Sequence, residues 1–111
     1  MAQVLVIADD LTGANATGVL LKKNGFDTYT VLDAANGADR SLADCDCLVV
    51  PTESRAIDSQ EAYERVKTAL VSLGGEEVKL YAKRIDSTLR GNLGRETDAF
   101  LDVLGPDYIA V

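Results

Sequence analysis

The sequence contains no histidine, and its two cysteines, Cys45 and Cys47, stand one residue apart. Without imidazole ligands a zinc site is not expected. On a strand the two thiols would point to opposite faces and could not bridge without distortion. They are read as reduced and buried, which fits a cytoplasmic protein. No segment approaches the roughly 20 consecutive apolar residues that cross a bilayer. No basic segment precedes the first apolar run, so a secretory leader is not expected. Positive charge is scarce as well: 18 acidic side chains face 11 basic ones, for a net charge of −7. That balance argues against nucleic acid or an anionic membrane as a partner, while leaving room for a small local basic site. Internal repeats, interdomain linkers and a Gly-rich phosphate loop are also missing.

What remains is a chain of 111 residues, 47% hydrophobic, enough for a single domain with one core. Residues 4–8 form a continuous apolar run, as expected of a strand buried on both faces. Residues 13–24 read as a helix with Ala14, Gly18 and Leu21 on one stripe, Lys22 and Lys23 in the last turn, and Gly25 as its stop. Residues 28–32 form a second, more polar strand. Residues 34–46 are small and polar, a loop or short helix. Residues 47–50 form a third strand, stopped by Pro51.

Asp58 then caps an amphipathic helix, with Glu61 placed as in a capping box. Ala62, Tyr63, Val66, Ala69, Leu70 and Leu73 make its apolar stripe, and Gly74-Gly75 ends it. A fourth strand is expected at 78–82. A third helix follows at 92–104, with Leu93, Phe100, Leu101 and Leu104 inward. A fifth strand begins at 108–111.

Strands alternating with helices imply βαβ units and a parallel, doubly wound α/β sheet of about five strands. The polar second strand suits an edge. The order 2-1-3-4-5 is favoured, with 3-2-1-4-5 as the alternative. The last segment, Tyr108-Ile109-Ala110-Val111, is apolar on both faces yet would lie at an edge. The fold is therefore expected to be cut off in mid-course at residue 111, and an open edge of this kind favours self-association.

Ligands of α/β sheets bind beyond the carboxyl ends of the strands. Three segments qualify. The first, residues 8–14, carries Asp9 and Asp10. Paired carboxylates at a strand end can act as a general base or hold a cation, and one can simply cap the following helix. The second, Thr52-Glu53-Ser54-Arg55, places an arginine after strand three. The third, residues 83–96, is the most informative. Lys79, Lys83, Arg84, Arg90 and Arg95 cluster around it in an otherwise acidic chain, and it leads into a helix N-terminus, where free N–H groups favour anions. Arg90 can grip a carboxylate with a bidentate fork, Ser87 and Thr88 offer hydroxyls, and Gly91 allows close backbone approach. In the plainer reading this is a solvated basic loop with Asn92 as a helix cap.

Together the three segments resemble the four-carbon acid sugar kinase family. The resemblance rests on Ala-Asp-Asp-Leu-Thr-Gly-Ala at 8–14, Thr-Glu-Ser-Arg at 52–55 and Lys-Arg-Ile-Asp-Ser-Thr-Leu-Arg-Gly-Asn-Leu-Gly-Arg-Glu at 83–96. It spans essentially the whole chain, which would be the front part of an N-terminal sugar-acid-binding domain. The resemblance implies an ATP-dependent kinase that phosphorylates the terminal hydroxyl of tetronates or 3-oxo-tetronates. ATP and Mg²⁺ would be bound by a separate C-terminal domain outside these residues. Asp9 and Asp10 map to the loop beside the acceptor hydroxyl, with Asp10 preferred as the base. Arg55, Asp86, Ser87 and Arg90 map to sugar-acid recognition. Residues 1–111 alone are expected to be catalytically silent. Two other classes compete: a nonenzymatic small-anion-binding module, and a phosphoacceptor receiver-like domain, which would need an aspartate after strand three where Pro51-Thr52-Glu53 stands.

Overall fold

A computed structural model describes residues 3–34 and 45–105. The elements run β1 (Val4–Ala8), α1 (Leu11–Lys23), β2 (Thr28–Thr30), β3 (Cys47–Pro51), α2 (Ser59–Leu73), β4 (Leu80–Arg84) and α3 (Leu93–Leu104). The four strands make one parallel sheet in the order β2-β3-β1-β4. The parallel α/β class is thus as expected, and the strand order is not. In the favoured order β1 lay between β2 and β3; here β3 lies between β2 and β1. The alternative order places β1 beside β4 correctly but exchanges β2 and β3. The reason is that β1 and β3 are both apolar throughout, and either could flank the polar strand. β3 takes two partners because all five of its residues are buried, while Tyr29 and Thr30 of β2 face solvent at the edge. The expected fifth strand lies outside the described residues.

Side chains alternate along the two central strands. Leu5, Ile7, Leu48 and Val50 pack with Val66, Ala69 and Leu70 of α2 and Ala99 of α3. Val6, Ala8 and Val49 pack on the opposite face with Ala14 and Leu21 of α1. The sheet is therefore covered on both faces, and the core is split into two layers by it. Cys45 and Cys47 are free and buried, and burial pushes both thiols above their ordinary pKa.

Several element boundaries differ from expectation. α1 begins two residues earlier than the glycine suggested, because Asp10 caps it by accepting from the Gly13 N–H at 2.8 Å. β4 is shifted two residues along, so Lys83 and Arg84 belong to the strand. On α3, Leu101 is 43% exposed, and the buried positions are Glu96 and Ala99. Asn92 holds the N-cap position without capping, since its side chain is used elsewhere. Among the described residues no helix is long and apolar enough to cross a membrane.

Candidate functional site

The register sets the carboxyl ends of three strands level: Ala8 stands opposite both Pro51 and Arg84. The loops that follow β1, β3 and β4 therefore leave the sheet side by side. β1 and β3 are neighbours, but the chain departs from them in opposite directions. α1 leads to β2 over one face, and α2 leads to β4 over the other. A crevice opens where such connections diverge, and it is the usual ligand position in α/β sheets.

Arg55, after β3, spans this crevice to the loop after β1. Its Nε and one terminal nitrogen donate to the two oxygens of Asp9 at 3.2 and 3.0 Å. Its other terminal nitrogen lies 3.2 Å from Asp10 Oδ2. Asp9 is 1% exposed. The hydrogen bond to Asp9 raises the Arg55 pKa above its ordinary value. Asp10 divides its oxygens: Oδ1 caps α1, and Oδ2 faces Arg55 at the edge of a cavity. The capping role and a ligand-facing role thus coexist in one carboxylate.

The loop after β4 closes on itself. Asp86 accepts from Arg90 Nε at 2.7 Å and from its terminal nitrogen at 3.0 Å, and also from the Thr88 hydroxyl and the Arg90 backbone N–H. These donors, Arg90 first, hold the Asp86 carboxyl far below its ordinary range. Arg90 itself is raised by the same contact, and its side chain is 65% exposed. Gly91 has φ +105°, and a Cβ there would come within 2.8 Å of Asp9 Oδ2, so a glycine is needed on both counts. Leu89 and Glu53 also hold positive φ, of 63° and 50°, an uncommon backbone state for non-glycine residues.

Asp10, Arg55, Asp86, Ser87 and Arg90 all line one cavity of about 210 Å³, as Arg84 does. Asp9 and Gly91 lie directly behind them. Asp9, Asp10, Arg55, Asp86, Ser87, Arg90 and Gly91 are therefore brought together, whereas Thr88 and the Lys79, Lys83 and Arg95 of the basic cluster do not line the cavity. The anticipated open fork is not formed: Arg90 is engaged by Asp86 and Arg55 by the aspartate pair. Arg84 is the guanidinium at this cavity that makes no ion pair among the described residues; its one hydrogen bond is to the Ile85 carbonyl at 3.5 Å. Sequence reasoning placed Arg84 in the basic cluster but gave it no role of its own, because its strand assignment stopped at Ala82. It also passed over Ser54 and Glu96, both fully buried beneath the site.

The larger cavity, about 440 Å³, lies beside Glu53, Glu61 and Glu64 and carries one arginine, Arg65. That surface repels small anions, so size alone does not locate the site. As for a resident metal, Asp9 gives both oxygens to Arg55, and a cation there would meet the guanidinium. Among the described residues no group of three ligands is placed to hold a metal ion. The donor set does not fit a resident Mg²⁺.

D-erythronate kinase of Heliobacterium modesticaldum is 52% identical over 111 residues, which are 100% of this chain and 25% of that protein. D-threonate kinase of Salmonella typhimurium is 43% identical over 98 residues, covering 87% of this chain and 22% of that protein. The 3-oxo-tetronate kinase of the same organism is 34% identical over 115 residues, covering 100% and 27%. A crystal structure of a domain of unknown function from Bordetella bronchiseptica, a domain-swapped dimer with bound citrate, superposes with a TM-score of 0.83 at 33% identity, over 96% of this chain and 27% of that one. The chain thus spans about a quarter of the length of these relatives. A family model described as the sugar-binding N-terminal domain matches residues 4–111, and the chain belongs to that family.

Proposed function

We propose that this chain forms the sugar-acid-binding part of an ATP-dependent kinase that phosphorylates the terminal hydroxyl of a four-carbon acid sugar. The observation that carries the reading is the convergence of residues 9–14, 52–55 and 84–91 on one crevice at the carboxyl end of the sheet. Three carboxylates, Asp9, Asp10 and Asp86, and three guanidinium groups, Arg55, Arg84 and Arg90, meet there. Such a site offers a cation for a substrate carboxylate and acceptors for its hydroxyls. The names of the relatives support a tetronate as substrate, and citrate, a hydroxy acid, is bound by a structural neighbour.

In this reading Arg84 joins Arg55 and Arg90 in holding the substrate carboxylate. Asp86 and Ser87 take the sugar hydroxyls. Asp10, the more exposed of the aspartate pair, accepts the proton of the acceptor hydroxyl, with Asp9 fixing Arg55 beside it. ATP and Mg²⁺ are supplied by the remainder of the polypeptide, since residues 1–111 carry no Gly-rich phosphate loop and the aspartate pair is already engaged by Arg55. Residues 1–111 alone position half of the reaction and are expected to show no turnover.

The test uses the full-length protein with D-erythronate and D-threonate. Wild type should bind one of them by calorimetry and phosphorylate it with ATP. Asp10→Asn keeps an oxygen for the Gly13 cap and removes the base, so it should retain binding and lose roughly a hundredfold in kcat. Turnover within threefold of wild type in Asp10→Asn would refute that role. Absence of binding of either acid to wild type would refute the substrate class.

A further inference from the structure

Glu96 is 0% exposed, although it sits in the first turn of a surface helix. Its Oε1 accepts from the Ser54 hydroxyl at 2.7 Å and lies 3.6 Å from Lys83 Nζ on β4. Its Oε2 has no hydrogen-bond partner among the described residues. A buried carboxylate with one oxygen unpaired is a costly feature for a core, and apolar packing would serve stability better. What it contacts gives the reason for its place.

Ser54 is held at every polar atom. Its N–H donates to the Asp9 carbonyl at 3.0 Å, and its carbonyl accepts from Asn92 Nδ2 at 2.9 Å. Its hydroxyl donates to Glu96 and lies 2.6 Å from the Thr52 hydroxyl, whose single proton goes either to Ser54 or to the Ala8 carbonyl 3.1 Å away. Asn92 and Glu96 stand four positions apart on one face of α3 and reach the same serine. On one side of Ser54 is Glu53, whose φ of 50° must be held in place by its surroundings. On the other is Arg55, which closes on Asp9 and Asp10.

We propose that Glu96 is a positioning residue: from α3, together with Asn92 and Lys83, it holds Ser54 so that Arg55 bridges Asp9 and Asp10 across the crevice. The third motif thereby sets the geometry of the other two. This deepens the proposed sugar-acid site, but the geometry it concerns is present without ligand.

The experiment is therefore read on unliganded full-length protein, as hydrogen exchange of the Arg55 Nε–H by NMR with selectively labelled arginine. Ser54→Ala and Glu96→Ala should speed that exchange at least tenfold and raise KM for the tetronate substrate more than they lower kcat. Glu96→Gln, which keeps an acceptor for Ser54, should stay within threefold of wild type in exchange. Val66→Ala, a core truncation on α2, should lower Tm without changing the Arg55 signal. Should Glu96→Ala fail to fold, Ser54→Ala decides the matter. Wild-type exchange at Arg55 in Ser54→Ala, or equal acceleration in Val66→Ala, would overturn the proposal. A site that binds no tetronate would leave the Arg55 result standing, so the two readings fail separately.

Discussion

Two of the three arginines at the crevice, Arg55 and Arg90, are built in opposite ways. Arg55 reaches a carboxylate 46 residues away, and that carboxylate, Asp9, is buried. Arg90 reaches back only four residues, to Asp86, from an exposed position. The first bridge ties two strand ends together and is part of the fold. The second shapes a loop, whose Asp86 also lies 3.7 Å from Arg55. Under the proposed function, the Arg55 bridge would be a fixed wall on the acceptor side and Arg90 a wall able to respond to the substrate.

That contrast can be broken most forcefully at Asp9. Asp9→Ala leaves Arg55 without its main partner beside a buried wall, and should cost about 3 kcal/mol in chemical denaturation. A loss no larger than that of a surface substitution would show the bridge to be incidental. Gly91→Ala should come next, at about 1–2 kcal/mol, because the new Cβ meets Asp9 Oδ2 and the backbone holds φ +105°. Arg90→Ala should leave Tm within about 2 °C of wild type. It should weaken tetronate binding roughly tenfold by calorimetry, the scale of one charged hydrogen bond. Similar losses of stability in the Asp9 and Arg90 variants would erase the distinction between the two walls.

The smallest effect is one of pH. The Asp86 carboxyl is depressed in the folded protein, so its contribution is complete above the ordinary carboxylate pKa of about 4 and declines as pH falls below it. Asp86→Asn should therefore be less stable than wild type at neutral pH, and the gap should close steadily under acid. A gap that stays constant from pH 7 to pH 3 would contradict the assignment.

Much of this site was legible before the fold because its position does not depend on the strand order. With β1 beside β3, a crevice opens between them in the expected order 2-1-3-4 and equally in the observed 2-3-1-4. Asp9, Asp10 and Arg90 were singled out from charge, spacing and the rule about carboxyl ends, while the roles of Arg55 and Asp86 entered through the family resemblance. The order itself was not, since Val4–Ala8 and Cys47–Pro51 are equally apolar and periodicity does not say which of them pairs with a polar edge. Arg84 was obscured by a strand boundary set two residues early. Glu96 was hidden for a different reason: a charged residue in a first helical turn reads as solvated, and its burial depends on Ser54, which is 42 residues away. Long-range polar contacts of this sort leave no local pattern.

The central claim is that a small sugar acid occupies the crevice between the ends of β1, β3 and β4. A crystal structure of the full-length protein soaked with D-erythronate or D-threonate tests it most directly. The ligand carboxylate is expected against Arg84, Arg55 or Arg90, with a terminal hydroxyl within hydrogen-bond reach of Asp10. A ligand bound instead in the larger acidic cavity beside Glu61 and Glu64, with the Asp10 crevice filled only by water, would contradict it.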